Sequence, residues 1–256
     1  MKYLKFLRTY VCLLLGFAAF TACTSEADEV LKDGKGYVSL SLSIEDRFQT
    51  KAVDENDYQD ETKYTVQILD SKGSVVGDYT GATIPSDLIE LDNGSYNVKA
   101  FYGEDKPAST TSMYVEGIKG FDINSNQVTG VTVECAPVCT RVTLVYEGME
   151  EHFKNWEAVI KTKALGESSF IYEKDNTDPV YLKVEKGEKI SVSFHLTNSA
   201  DKVTTIDKTY AVNPNEALKI TIKPAASENG NLGISIEIDG STQDIPVDIE
   251  IPSDWV

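Results

Sequence analysis

The sequence predicts an all-β chain folded as two β-sandwiches in tandem, and three observations carry the prediction. Apolar and polar residues alternate through most of the chain, the period-2 signature of half-buried strands. No stretch sustains the 3.6-residue period of an amphipathic helix. Turn residues recur about every 8–12 positions, the spacing of short antiparallel strands. A single larger sandwich or barrel is the structural alternative for a chain of 256 residues.

Taken in order, the first strand is marked by Val38, Leu40, Leu42 and Ile44 on one face and Ser39, Ser41 and Ser43 on the other. Residues 45–63 form a long acidic connection, of a length that is usually functional or disordered. Alternation resumes at Tyr64-Val66-Ile68, followed by a turn at Asp70-Ser71-Lys72-Gly73. Asn93-Gly94 predicts a hairpin, because both residues tolerate positive φ, and leads into Tyr96-Val98-Ala100-Tyr102. Further strands are expected over roughly 111–123 and 127–134. Val142, Leu144 and Tyr146 continue the pattern, with Thr140 interrupting the apolar face, and residues 148–156 read as one short helical turn. Strands follow near 156–161, 168–173, 180–184, 189–197, 203–212, 216–222 and 232–239. The crossing between domains falls at Ala136-Pro137, since proline interrupts a ladder. The expected organisation is a signal peptide (1–22), a tether (23–36), two sandwiches (37–136 and 137–244) and an extended tail (245–256). Within that tail Ile245, Val247, Ile249 and Ile251 alternate as a further strand would.

The N-terminus sets the compartment. Lys2, Lys5 and Arg8 precede the apolar run Val11–Phe20, too short to span a bilayer but suited to a signal peptide. Thr21-Ala22-Cys23 then resembles a bacterial lipobox, in which the thiol of Cys23 carries lipid. Each buried methylene of such an anchor contributes about 0.8 kcal/mol, so two or three acyl chains hold where one does not. The expected location is the outer membrane, lipid-anchored and surface-exposed, with the acids Glu26, Asp28 and Glu29 in the tether. The formal net charge is −17, and removing the +3 of the signal leaves −20. So acidic a surface repels phosphates and excludes nucleic acid as a partner. With Cys12 in the signal and Cys23 as anchor, only Cys135 and Cys139 remain, and they read as two buried thiols.

The search for catalytic chemistry is empty. His152 and His195 belong to no nucleophile or metal motif. Asp54-Glu55-Asn56-Asp57 fails the EF-hand pattern, with Tyr58 at the fifth position and Gln59 where glycine is required. No cofactor, metal or enzymatic activity is expected. Tyr102, Tyr114, Trp156 and Trp255 sit near strand ends, where rings either stack on sugars or bridge core and surface.

Several motifs carry a family resemblance. Tyr64-Thr65-Val66-Gln67-Ile68 with Lys72-Gly73, then Leu91-Asp92-Asn93-Gly94-Ser95-Tyr96-Asn97-Val98 and Tyr102-Gly103-Glu104, resemble a domain of unknown function found in fimbrillin-like cell-adhesion lipoproteins of anaerobic Gram-negative bacteria. Tyr114, Glu116, Gly117, Phe121, Val133 and Cys135 are similar too. The resemblance implies two transthyretin-like sandwiches and a protease site at an arginine after the first strand, for which only Arg47 is suitably placed. It further implies that cleavage frees a groove which a strand of the next subunit fills, the alternating tail being a candidate donor. The implied partners are other pilus-like subunits or a host or glycan surface. The expected function is adhesion or a fimbria-like role; the alternative is a carbohydrate-binding lipoprotein of a polysaccharide-uptake system.

Overall fold

The structure, a computed structural model, describes residues 34–45, 56–176, 178–226 and 232–239. Cys23, Arg47, Trp255 and the tail residues Ile245, Val247, Ile249 and Ile251 lie outside them. The described chain is all-β: sixteen strands and four short 3-10 turns. The first half contains β1 (Lys35–Ile44), β2 (Thr65–Leu69), β3 (Val75–Thr80), β4 (Ile89–Asp92), β5 (Gly94–Tyr102), β6 (Ala108–Ser109), β7 (Val115–Ile123) and β8 (Val128–Pro137). The second contains β9 (Cys139–Tyr146), β10 (Asn155–Lys161), β11 (Phe170–Glu173), β12 (Val180–Lys183), β13 (Glu188–Thr197), β14 (Val203–Val212), β15 (Ala217–Ala226) and β16 (Leu232–Asp239).

Seven strands of the first half form one sheet in the order β3-β2-β5-β7-β8-β1-β4. It curls at β8, which pairs with β1 along Val128–Cys135 but with β7 only at Ala136 and Pro137. Inward residues from both ends of the sheet, among them Val38, Val66, Val98 and Val133, meet in one core. Gly117 permits the curl, because a Cβ there would lie 2.3 Å from the Glu134 carbonyl oxygen. In the second half a four-stranded sheet, β11-β10-β13-β14, and a five-stranded sheet, β16-β15-β9-β12-β6, enclose a second core. Alternation supplies it directly: Ile190, Val192, Phe194 and Leu196 of β13 are all fully buried. Two strand pairs, β1–β8 and β9–β15, are parallel; the other pairs are antiparallel.

Four features differ from the sequence expectation or refine it. Asn93-Gly94 closes no hairpin, because β4 pairs with β1 while β5 pairs with β2 and β7. The dipeptide turns a corner where the chain passes from one end of the curled sheet to its middle. Residues 56–63 of the acidic connection carry 3-10 turns at Asn56–Gln59 and Glu61–Lys63, with Tyr58 buried in the first core. Thr140 does not break β9, since its buried hydroxyl donates to the Glu216 carbonyl at 2.9 Å. The helical turn expected over 148–156 shrinks to Met149–Glu151, after which β10 begins.

Candidate functional site

Strand β1 lies between β8 and β4 and is paired unequally on its two sides. It is held on one side by β8 in parallel register from Tyr37↔Val128 to Ile44↔Cys135. The Tyr37 and Glu45 N–H groups donate to the Gln127 and Cys135 carbonyls, each at 2.9 Å, so odd-numbered backbone groups face β8. Even-numbered groups face the other side, where β4 pairs only from Lys35↔Asp92 to Val38↔Ile89. Among the described residues no strand pairs with Leu40–Ile44 on that side. Such a half-edge presents unpaired N–H and C=O groups to an incoming strand.

The side chains anchor the strand mainly at its start and middle. Val38 and Leu42 are buried in the first core, while Leu40 and Ile44 are half-buried against it. Outside, Ser41 and Thr132 share a hydroxyl hydrogen bond at 2.9 Å. Lys35 lies 2.9 Å from Glu90 and 3.6 Å from Asp92, and the Glu90 hydrogen bond raises the ammonium pKa above its ordinary value. This pair is open to solvent, which screens it, so it adds little to the hold on the strand. Tyr58 lies in the same core, and its carbonyl accepts from the Tyr64 hydroxyl at 2.7 Å. Burial pushes the Tyr64 phenol pKa up, so it remains a donor across the ordinary pH range. The connection after β1 is therefore tied down at its far end.

Three of the aromatic residues that could form a sugar platform, Tyr102, Tyr114 and Trp156, lie among the described residues. Tyr102 is half-buried, its ring 5.8 Å from that of Tyr64. Tyr114 is buried and donates to Glu116 Oε2 at 2.6 Å. Burial raises the Glu116 carboxyl, but bonds from Lys99 and Tyr114 prevail and hold it below its usual value. Trp156 is buried in the second core, packed on Tyr146 at 6.0 Å, with Lys174 Nζ 5.9 Å above its ring. Tyr114 and Trp156 are thus packing residues, because neighbouring strands and loops cover the faces that stacking would need.

His195 sits on the solvent side of β13, its Nδ1 3.0 Å from Glu157 Oε1 across the ladder. Among the described residues no group of three or more His, Cys, Asp or Glu could hold a metal. Cys135 and Cys139 are buried thiols and form no disulfide; the Cys139 thiol donates to the Tyr114 carbonyl at 3.8 Å. The half-edge of β1 could not be found from side-chain motifs, since strand edges are backbone features. The one sequence signal nearby is the long connection after Ile44.

The described architecture and the motifs point to the same relatives. Residues 34–253 match the family described as a domain of unknown function, DUF4493. The chain belongs to this family. No curated protein matches it. Among solved structures, a candidate adhesin from Bacteroides ovatus is similar at a TM-score of 0.50 and 11% identity, over 83% of this chain and 95% of its own. The tip fimbrial protein Mfa3 of Porphyromonas gingivalis, with its C-terminus truncated, reaches 0.42 at 10% identity, covering 80% and 99%. A candidate polysaccharide-binding protein of Bacteroides thetaiotaomicron reaches 0.45 at 11%, covering 82% and 98%. The family resemblance read from the motifs is borne out. At such identities what this DUF4493 chain shares with the adhesin is the fold.

Proposed function

We propose that this chain is a cell-surface adhesin or fimbria-like subunit, displayed by a lipid on Cys23, which works by strand pairing with other chains and not by catalysis. Its two halves act as sandwich units of the transthyretin-like kind. The observation that carries the reading is the seat of β1. That strand fills the first core through Val38 and Leu42, is unpaired along Leu40–Ile44 on one side among the described residues, and leads directly into the connection that holds Arg47. A cut at Arg47 leaves β1 held only by non-covalent contacts. Its departure uncovers the edge of β8, and a strand of similar alternation, such as residues 245–251 of another copy, fills the place by β-augmentation. The shared fold with a candidate adhesin supports the same reading. A sugar platform has less support, because Tyr114 and Trp156 are buried.

Limited trypsin digestion followed by size-exclusion chromatography tests the exchange. The expected result is a nick after Arg47 that yields oligomers, prevented by Arg47→Ala and by removing residues 245–256. A nicked chain that stays monomeric and retains β1 overturns it. Lipid labelling tests the anchor: Cys23→Ser should abolish it and move the protein to the soluble fraction.

A further inference from the structure

The two cores are joined by more than the peptide between β8 and β9. Residues 103–114 leave β5 at Gly103 and return at Tyr114, with the ends of the loop drawn together. A Cβ on Gly103, whose φ is +79°, would lie 2.2 Å from the Met113 carbonyl oxygen. Between those ends the segment reaches across to the second half. Its β6 is the outermost strand of the five-stranded sheet, with Ala108 opposite Leu182 and Ser109 opposite Tyr181 of β12. The Lys183 N–H donates to the Pro107 carbonyl at 3.0 Å, and Lys183 Nζ lies 2.6 Å from Asp105. Ala108 packs against the second core.

The exchange is reciprocal. Tyr181 of β12 and Cys139 of β9 belong to the first core. The Tyr114 carbonyl accepts both the Val138 N–H at 3.1 Å and the Cys139 thiol. Glu116 holds Tyr114 from the other side and is itself held by Lys99 Nζ at 2.7 Å. Each core therefore contains side chains whose strands are ordered by the other half. Halves joined by a plain linker open independently, whereas halves that complete each other's packing do not.

We infer that residues 103–114 are a clasp that makes the two halves unfold as one cooperative unit, and that pairing of β6 with β12 is its catch. The same two residue pairs cover an edge of β12 that would otherwise be open to another strand.

Each core carries its own reporter. Trp156, in a Trp255→Phe background, reports the second core by fluorescence, and mass-spectrometric labelling of Cys135 reports the first. In urea the two reporters of the full chain should share one midpoint. Ladder alternation from the Lys183–Pro107 bond turns the Ser109 N–H toward β12, so Ser109→Pro removes a rung of the catch. The two midpoints should then separate by roughly 0.5 M urea or more. Val192→Ala, a core change remote from the clasp, should lower both midpoints together. If Ser109→Pro does not fold, Asp105→Ala combined with Lys183→Ala takes its place and should separate the midpoints in the same sense. Reporters that already part in the unaltered chain, or that stay together when the catch is removed, overturn the inference.

Discussion

If β1 is held by its apolar face, replacing Val38 and Leu42 together with alanine should loosen it far more than any change on its serine face. Val38 is fully buried and Leu42 is 9% exposed. The double change removes about five carbon groups, at ~0.8 kcal/mol each, which gives roughly 4 kcal/mol before any cavity term. Unfilled space adds to this, while a compact unfolded state subtracts, so about 3–6 kcal/mol is expected. Against a typical stability of ~5–15 kcal/mol that is a large share, and urea unfolding of the uncut chain measures it. In a chain opened by trypsin in the connection after β1, the same loss weakens retention of the strand about a thousandfold, since each 1.4 kcal/mol is roughly a factor of ten. The released peptide is read by size-exclusion chromatography and mass spectrometry. Ser39→Ala with Ser43→Ala, both exposed, should change stability by no more than ~0.5 kcal/mol per site. A double alanine variant within ~1 kcal/mol of the original, or equal retention of β1 after the cut, would refute the idea that these contacts hold the strand.

Three further expectations concern the first core. Tyr64→Phe leaves the buried Tyr58 carbonyl without its 2.7 Å donor and should cost about 1–3 kcal/mol in chemical denaturation. Gly117→Ala would set a Cβ 2.3 Å from the Glu134 carbonyl oxygen and 2.9 Å from Cys135 Sγ, so it should lower the melting temperature, whereas Gly130→Ala, with open space around it, should do so much less. Burial pushes the Cys135 thiol up to about 11 from a reference of 9.0, so the folded state prefers the neutral thiol. Its contribution is complete below pH 9.0 and is lost as pH rises toward about 11, a decline that Cys135→Ala should remove from the stability profile.

The elements most legible in the sequence are those whose two faces see different solvents. In β13, Ile190, Val192, Phe194 and Leu196 point inward while Ser191, Ser193 and His195 point out, and that contrast is written into the residue types. The strands that escaped notice lack it. In β3 both Val75 and Val76 are exposed at the sheet margin, and β6 has only two residues, made into a strand by β12 from the other half. Long-range parallel pairing, as between β1 and β8, leaves no local signal at all, because any two alternating strands satisfy it equally. Asn93-Gly94 shows the limit of turn chemistry: tolerance of unusual φ marks where the chain can change direction, but the partner it then finds is decided by the sheet as a whole.

The candidate site was harder to read for a related reason. A tyrosine or tryptophan in a strand carries an apolar ring, and whether that ring meets solvent depends on what is laid over it. Tyr114 is buried with its ring 6.3 Å from that of Phe101 on β5, and Trp156 with Tyr146 and Lys174 close to its ring. Neither cover adjoins its residue in the chain. What the structure offers in place of exposed rings is backbone: the half-edge of β1 at Leu40–Ile44, and the edge of β12 that β6 covers. Edges of this kind select partners by length, register and alternation more than by any single side chain. The acidic surface then bears on selection as well, since two copies at −20 each, once the +3 of the signal is removed from −17, repel over distances of about a Debye length. Pairing between copies should therefore strengthen with ionic strength, as an apolar strand with its own backbone bonds outweighs a repulsion that salt removes.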